Sequence, residues 1–171
     1  FRIGDLSQIV LSLYGALPLP PEDNPTRNLG QIASVGGGRH GSHSKTLVLA
    51  DSPNKLTGTA TLSQTNTYSG ITTVNGGTLS FAASANLGDA SATNDITLGG
   101  SLLQFTPATT VDLMANRQIN LTSATTSTVE VTSATGVLQV TGGFATTAAA
   151  NLTKTGLGTL EVTGALDLNG G

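Results

Sequence analysis

The 171-residue chain has no cysteine and no tryptophan, a single methionine, 10% charged residues and 4% aromatic ones. Without cysteine there is no disulfide, no thiolate nucleophile and no cysteine-bound structural zinc. Charged residues make up well under half of the usual quarter, so the surface has to be built from Thr, Ser, Asn, Gln and Gly. Seven basic residues against ten acidic ones, with no Lys/Arg cluster, leave no basic footprint for nucleic acid. No apolar run approaches the ~18 residues of a membrane-spanning helix, so no membrane span is expected in this chain. What remains is long enough for one domain with a sizeable core. If such a chain is secreted, its stability must come from a repetitive hydrogen-bonded backbone rather than from cross-links.

The charges divide the sequence unevenly. Residues 1–55 carry five basic and four acidic side chains, whereas residues 56–171 carry Arg117 and Lys154 against Asp89, Asp95, Asp112, Glu130, Glu161 and Asp167. We divide the chain into a leading segment, 1–45, and a body, 46–171. In the leading segment Ile3, Leu6, Val10, Leu13 and Leu17 recur at steps of three and four, with Ile9 and Tyr14 widening the stripe. That is the period of one helix face, and it predicts a short amphipathic helix over 3–16, stopped by Gly15 and Pro18. An extended connector follows from Pro18 to Pro25. Ser12 and Gly15 interrupt the apolar stretch and only Arg2 precedes it, which fits neither a secretory signal nor a pilin-type helix. A start at Phe1 rather than Met is what a processed or trimmed chain would show. His40 and His43, the only histidines, stand in the Gly/Ser loop 36–44. Two ligands with no third nearby read as a solvated loop, and neither a metal nor a cofactor is expected.

From Thr46 onward short strands alternate apolar and polar residues between Gly, Asn and Ser breaks, so each has one buried and one wet face. Paired glycines at 76–77, 99–100, 142–143 and 170–171 fall at steps of 23, 43 and 28 residues, the middle step being read as two turns of about 21. A repeat of that length signals a solenoid. The fixed Leu and Asn ladder of leucine-rich repeats is missing. The expected fold is all-β, a right-handed parallel β-helix of about five or six coils over 46–171, with a β-sandwich as the alternative. Phe81 and Phe105 end apolar strands and are expected to stack inside.

Leu62 to Phe81, LSQTNTYSGITTVNGGTLSF, resembles the passenger-associated repeat of bacterial autotransporters, in which an N-T-Y-x-G segment leads into T-T-V-x-x-G-T-L. The matching residues are Asn66, Thr67, Tyr68, Gly70, Thr72, Thr73, Val74, Gly77, Thr78 and Leu79. Leu152 to Gly164, LTKTGLGTLEVTG, resembles the half-unit that precedes N-T-Y. The resemblance spans residues 56–171. It implies a parallel β-helix displayed outside a bacterial cell by type V secretion, with Tyr68 plugging a coil corner. No membrane barrel is present, a further N-T-Y unit is expected where the sequence reaches Gly171, and residues 1–50 have no counterpart.

Glu130 and Glu161 sit alike in T-V-E-V-T and T-L-E-V-T. They are therefore candidates for one face, and paired carboxylates are what glycosidases use. Equivalent repeat positions also stack for structural reasons, and no tryptophan and only Tyr68 in the body offer a sugar platform. No phosphate loop, EF-hand or Gly-rich calcium repeat occurs, and Lys154 with Arg117 are too few for an anion groove. No enzyme activity is expected.

An open β-helix exposes unpaired backbone at both ends, which invite another strand. The leading helix either covers the first coil of its own subunit or receives the last coil of a neighbour. Residues 165–171 end on a strand that nothing covers. This asymmetry predicts head-to-tail stacking, with Ile3, Leu6, Val10, Leu13 and Leu17 docking on Leu166 and Leu168, into a homopolymeric filament at the cell surface. The alternative is an adhesin-type passenger fragment that binds glycans or proteins of a surface or matrix.

Overall fold

The alternation read from the sequence is what a parallel solenoid needs. Every second side chain goes inside, and each strand is hydrogen-bonded to the equivalent strand one turn on. The computed structural model describes residues 8–12, 26–29, 46–50, 58–122, 126–146 and 149–167. Sixteen strands lie in these stretches: β1 Gln8–Ser12, β2 Thr26–Leu29, β3 Thr46–Ala50, β4 Thr59–Leu62, β5 Thr72–Asn75, β6 Thr78–Phe81, β7 Ile96–Gly99 and β8 Leu102–Phe105, then β9 Thr110–Asp112, β10 Ile119–Leu121, β11 Thr126–Val131, β12 Val137–Val140, β13 Phe144–Thr146, β14 Asn151–Thr155, β15 Thr159–Val162 and β16 Leu166–Asp167. A 3-10 turn, Ser84–Leu87, is the one helical element among the described residues. No helix there is long and apolar enough to cross a membrane.

The strands form three parallel sheets, ordered β1-β3-β5-β7-β10-β13-β16, β14-β11-β8-β6-β4-β2 and β15-β12-β9. Every pairing is parallel, which rules out the antiparallel sandwich considered as the alternative. The chain is a β-solenoid of about four turns between β4 and β16, against the five or six expected over 46–171. Registered partners Thr72↔Ile96, Ile96↔Ile119, Ile119↔Phe144 and Phe144↔Leu166 set turns of 24, 23, 25 and 22 residues.

The glycine pairs mark two different corners rather than one. Gly76-Gly77 and Gly99-Gly100 follow strands of the seven-stranded sheet, whereas Gly142-Gly143 precedes β13. The 43-residue step is therefore not two turns of one corner. At the second corner Gly142 packs on Arg117, where a Cβ would overlap the Arg117 carbonyl oxygen.

Inward side chains stack in columns. Leu62, Phe81, Phe105 and Val131 form one, with the two phenyl rings 5.5 Å apart as expected. Thr72, Ile96, Ile119 and Phe144 form another and are buried throughout. Each fully buried aliphatic or aromatic side chain contributes about 1.5–3 kcal/mol. The third sheet adds Val111, Leu138 and Leu160.

The leading segment departs from expectation. Gln8–Ser12, the central part of the predicted helix, is strand β1, paired residue for residue with β3. Ile9, Val10 and Leu11 are three consecutive apolar residues, a pattern that suits a strand apolar on both faces as well as a helix stripe. The exposed edge of β3 decides in favour of pairing. Likewise β2 pairs with β4. The remainder of the predicted helix, the connector and the histidine loop lie outside the described residues.

Candidate functional site

Two places gather polar or unpartnered groups: a buried corner before the seven-stranded sheet, and the last turn. The corner is built by the repeat-like residues. Buried Asn66 donates through Nδ2 to Asn86 O (2.7 Å) and Gln64 O (3.1 Å), while Asn86 Nδ2 donates to Gln64 O (3.0 Å). Asn86 Oδ1 in turn accepts from the Ala82 and Ala83 amides at 3.0 and 2.8 Å, which satisfies the start of the 3-10 turn. Tyr68 is buried, and its hydroxyl shares a 2.7 Å hydrogen bond with Thr72 Oγ1. Burial pushes the Tyr68 hydroxyl up to about 12, although the Thr72 bond and the charge of Arg117 pull the other way. Gly70 O accepts from Asn94 Nδ2 at 2.8 Å. Val74 and Leu79 are core residues, and Gly77, at the turn between them, accepts from the Leu102 amide through its carbonyl oxygen. Asn66, Tyr68 and Gly70 thus belong to an internal corner, and Val74 and Leu79 to the core, rather than to a surface site.

Arg117 completes that corner and was not singled out as a site from the sequence. It is fully buried. Its Nε donates to Asn94 O (3.1 Å), Nη1 to Ser84 Oγ (2.7 Å) and Ser84 O (3.2 Å), and Nη2 to Asn94 Oδ1. Longer contacts reach Leu87 O, Gly88 O and Leu113 O at 3.3–3.4 Å. Loss of hydration lowers the guanidinium's pKa, and the charges of Tyr68, Asp89 and Asp95 raise it back. It stays protonated at neutral pH. A planar fork of five donors is what this site requires, because seven neighbouring acceptors are backbone or side-chain oxygens of two adjacent turns. The available signal was its isolation: a lone arginine in a charge-poor run of strands has few solvated reasons to be there.

The carboxylates are dispersed. Glu130 stands on β11 in the six-stranded sheet and Glu161 on β15 in the three-stranded sheet, so the single face expected of them does not exist. Each stacks on a glutamine one turn earlier, Gln104 Nε2 to Glu130 Oε2 and Gln139 Nε2 to Glu161 Oε2, both at 2.8 Å. The motifs L-L-Q-F and V-L-Q-V precede T-V-E-V and T-L-E-V by one turn, and likeness between the last two reflects equivalent roles in different sheets. Asp112 Oδ1 accepts from Thr141 Oγ1 at 2.8 Å and from the Met114 amide at 2.9 Å. Among the described residues no group of three His, Asp or Glu could hold a metal ion.

Comparison with protein-family models, with curated proteins and with solved structures gave no match. The site is read from its own geometry.

The last turn is different in kind from those before it. β14, β15 and β16 are terminal in their three sheets. Leu152, Leu160 and Val162 are only partly buried against the core, and Leu157 and Leu166 are 81% and 59% exposed. Of the expected docking residues, Val10 lies on β1 and Leu166 on β16, at opposite edges of the seven-stranded sheet. Ile3, Leu6, Leu13, Leu17 and Leu168 lie outside the described residues. In register, the column that ends at Leu166 runs back through Phe144, Ile119, Ile96, Thr72 and Leu47 to Ile9, so Ile9 rather than Val10 is its first member.

Proposed function

We propose that the protein is an extracellular structural element, a right-handed β-solenoid that stacks head to tail into a filament at a bacterial surface. The observation that carries this reading is the last described turn, where β14, β15 and β16 have no further strand beside them among the described residues and Leu157 and Leu166 are exposed. A further β layer satisfies all of them at once, and the first turn of a second copy offers parallel strands of the same two larger sheets. Such a joint is heterologous and does not close, so it propagates. The right hand is the one taken by nearly all parallel β connections. The likeness of residues 62–81 to the autotransporter passenger repeat supports secretion and surface display. In this reading the chain catalyses nothing and takes no cofactor. Glu130 and Glu161 stand on separate sheets, each bonded to a glutamine, and so do not make the carboxylate pair of a glycosidase.

The test is electron microscopy of the untagged 171-residue protein over a range of concentration and salt. Filaments with an axial repeat that is a whole number of ~4.8 Å layers are the expected result. Monodisperse short rods under every condition would overturn head-to-tail stacking. They would favour the second reading, an adhesin-type passenger segment whose Thr- and Ser-lined outer faces bind surface or matrix molecules, a reading that rests on the same repeat likeness.

A further inference from the structure

The corner between β5 and β6 holds a chemically reactive pair of residues. Asn75 closes β5, and Gly76 and Gly77, at φ 73° and 58°, turn the chain into β6. Among the described residues Asn75 is the one asparagine followed by glycine; every other precedes a residue that has a side chain. A glycine amide nitrogen is unshielded, so it can attack the Cγ of the asparagine before it and close a succinimide ring. The fold holds the two groups apart. Gly76 is buried, and its N–H, whose proton has to leave before the nitrogen can attack, donates to Gly99 O at 3.2 Å. Asn75 is registered with Gly99 on β7, and its Oδ1 lies 2.7 Å from where a Cβ on Gly99 would stand. An extended backbone, with ψ of about +115° in a parallel strand, also carries the next nitrogen away from Cβ across the Cα–C bond, whereas ring closure needs the two eclipsed.

We infer that the Asn75-Gly76 pair is a latent self-modification site, shut while β5 is paired with β7 over Gly99 and reactive once that layer opens. On opening, the Gly76 nitrogen loses its proton and bonds to Asn75 Cγ. The bond from Cγ to the carboxamide nitrogen breaks, and that nitrogen leaves as ammonia with the proton. Water then adds to either carbonyl of the ring and leaves an aspartate or an isoaspartate at position 75. The sequence of steps consumes water alone and needs no oxidant or cofactor. Isoaspartate lengthens the main chain by a methylene between β5 and β6, and either product carries a carboxylate where a neutral amide stood beside Gly99. The modified layer therefore closes less well than the one that opened, and each opening that reacts is recorded permanently in the chain. The inference is independent of head-to-tail stacking.

Asn169-Gly170-Gly171 repeats the triplet Asn75-Gly76-Gly77, so the molecule carries its own reference for the unfolded rate. The 171-residue protein would be kept in mildly alkaline buffer with and without denaturing guanidinium chloride. Conversion at 75 and at 169 would be followed by peptide mass spectrometry with an isoaspartate assay. In denaturant the two sites should convert at similar rates. In buffer Asn75 should convert about a hundredfold more slowly than in denaturant, because only the small open fraction reacts. Gly99 lies outside the positive-φ region, so alanine suits its backbone, but the added Cβ meets Asn75 Oδ1. Gly99→Ala, with folding checked by circular dichroism, should therefore raise the rate at 75 in buffer about tenfold and leave the rate in denaturant unchanged. Equal rates at 75 in buffer and in denaturant would overturn the protection. No conversion at 75 in denaturant while 169 converts would overturn the site itself. An unchanged rate at 75 in folded Gly99→Ala would overturn the part assigned to Gly99, and the wild-type comparison stands whether or not that variant folds.

Discussion

Truncating Arg117 to alanine tests whether one buried cation holds two turns of the solenoid together. Its guanidinium makes four short bonds, to Ser84 Oγ, Ser84 O, Asn94 O and Asn94 Oδ1. Truncation removes these bonds, at about 1 kcal/mol or more each, although Asn94 Oδ1 keeps the Ala90 amide at 3.1 Å and Ser84 is only half-buried, and it leaves a cavity where a fully buried side chain stood. Taken at the low end the lost bonds sum to about 4 kcal/mol. Removing a buried charge that has no carboxylate in contact offsets part of this, since holding an ion out of water costs several kcal/mol. A net loss of about 3 kcal/mol is expected. Arg117→Lys should lose nearly as much, because one ammonium cannot span Ser84 and Asn94 together. Urea unfolding followed by far-ultraviolet circular dichroism measures the loss, and hydrogen exchange locates it. Each turn of a solenoid touches only its neighbours, so exchange should rise at residues 84–95 and 113–118 and stay slow in β12 and β15. If Arg117→Ala lies within about 1 kcal/mol of wild type, with exchange at 84–95 unchanged, desolvation has cancelled the bonds and the corner is held by its asparagines instead.

The pH dependence of stability should identify Tyr68. Its folded pKa of about 12 lies above the unfolded value of 10.0, so the folded state keeps the proton longer. The stabilisation is complete below pH 10 and is lost as pH rises toward 12, by about 2–3 kcal/mol. Tyr68→Phe should flatten that interval while leaving lower pH with only the loss of the Thr72 bond, and thermal melts at a series of alkaline pH values will show whether it does. Gly142→Ala should be strongly destabilising, by about 3 kcal/mol or more, because its Cβ meets the backbone of Arg117 rather than a side chain that can turn away. A melting temperature within a degree or two of wild type would show that the corner shifts freely.

Much of the fold was legible because solenoid strands report burial in alternation. T-L-S-F, L-L-Q-F and V-L-Q-V could each be assigned an inner and an outer face without knowing their neighbours. The period came from glycine, and there the reading was partly misled. Glycine serves both the corner after β5 and β7 and the corner before β13, and sequence does not say which. The same ambiguity joined Glu130 to Glu161: T-V-E-V and T-L-E-V look alike because both are half-buried strands stacked on a glutamine, not because they share a sheet. At β1, Ile9 to Leu11 satisfy a helix stripe and a strand equally, and partner availability, a long-range property, chose the strand. Arg117 escaped notice because its role depends on oxygens from residues 23 to 33 positions earlier, such as Asn94 and Ser84. No local spacing announces such a set.

The last described strand of the six-stranded sheet shows how a solenoid can separate folding from assembly. A side chain on an inner column is judged by the layer above and the layer below, and an end residue lacks one of them. Lys154 has Val129 on one side only, and its ammonium group is solvated and bonded to carbonyls at the strand edge. It therefore costs the isolated subunit little. A second copy placed over it would have to desolvate that charge, and the cost would fall entirely on the joint. Leu166 works the other way, since its exposed surface is removed from water only when a layer covers it. Substitutions at Lys154 should thus move assembly without moving the unfolding midpoint of the monomer, while substitutions at Arg117 should move the midpoint first. Measuring both quantities on both variants separates the residues that hold the rod together from those that decide what it may join.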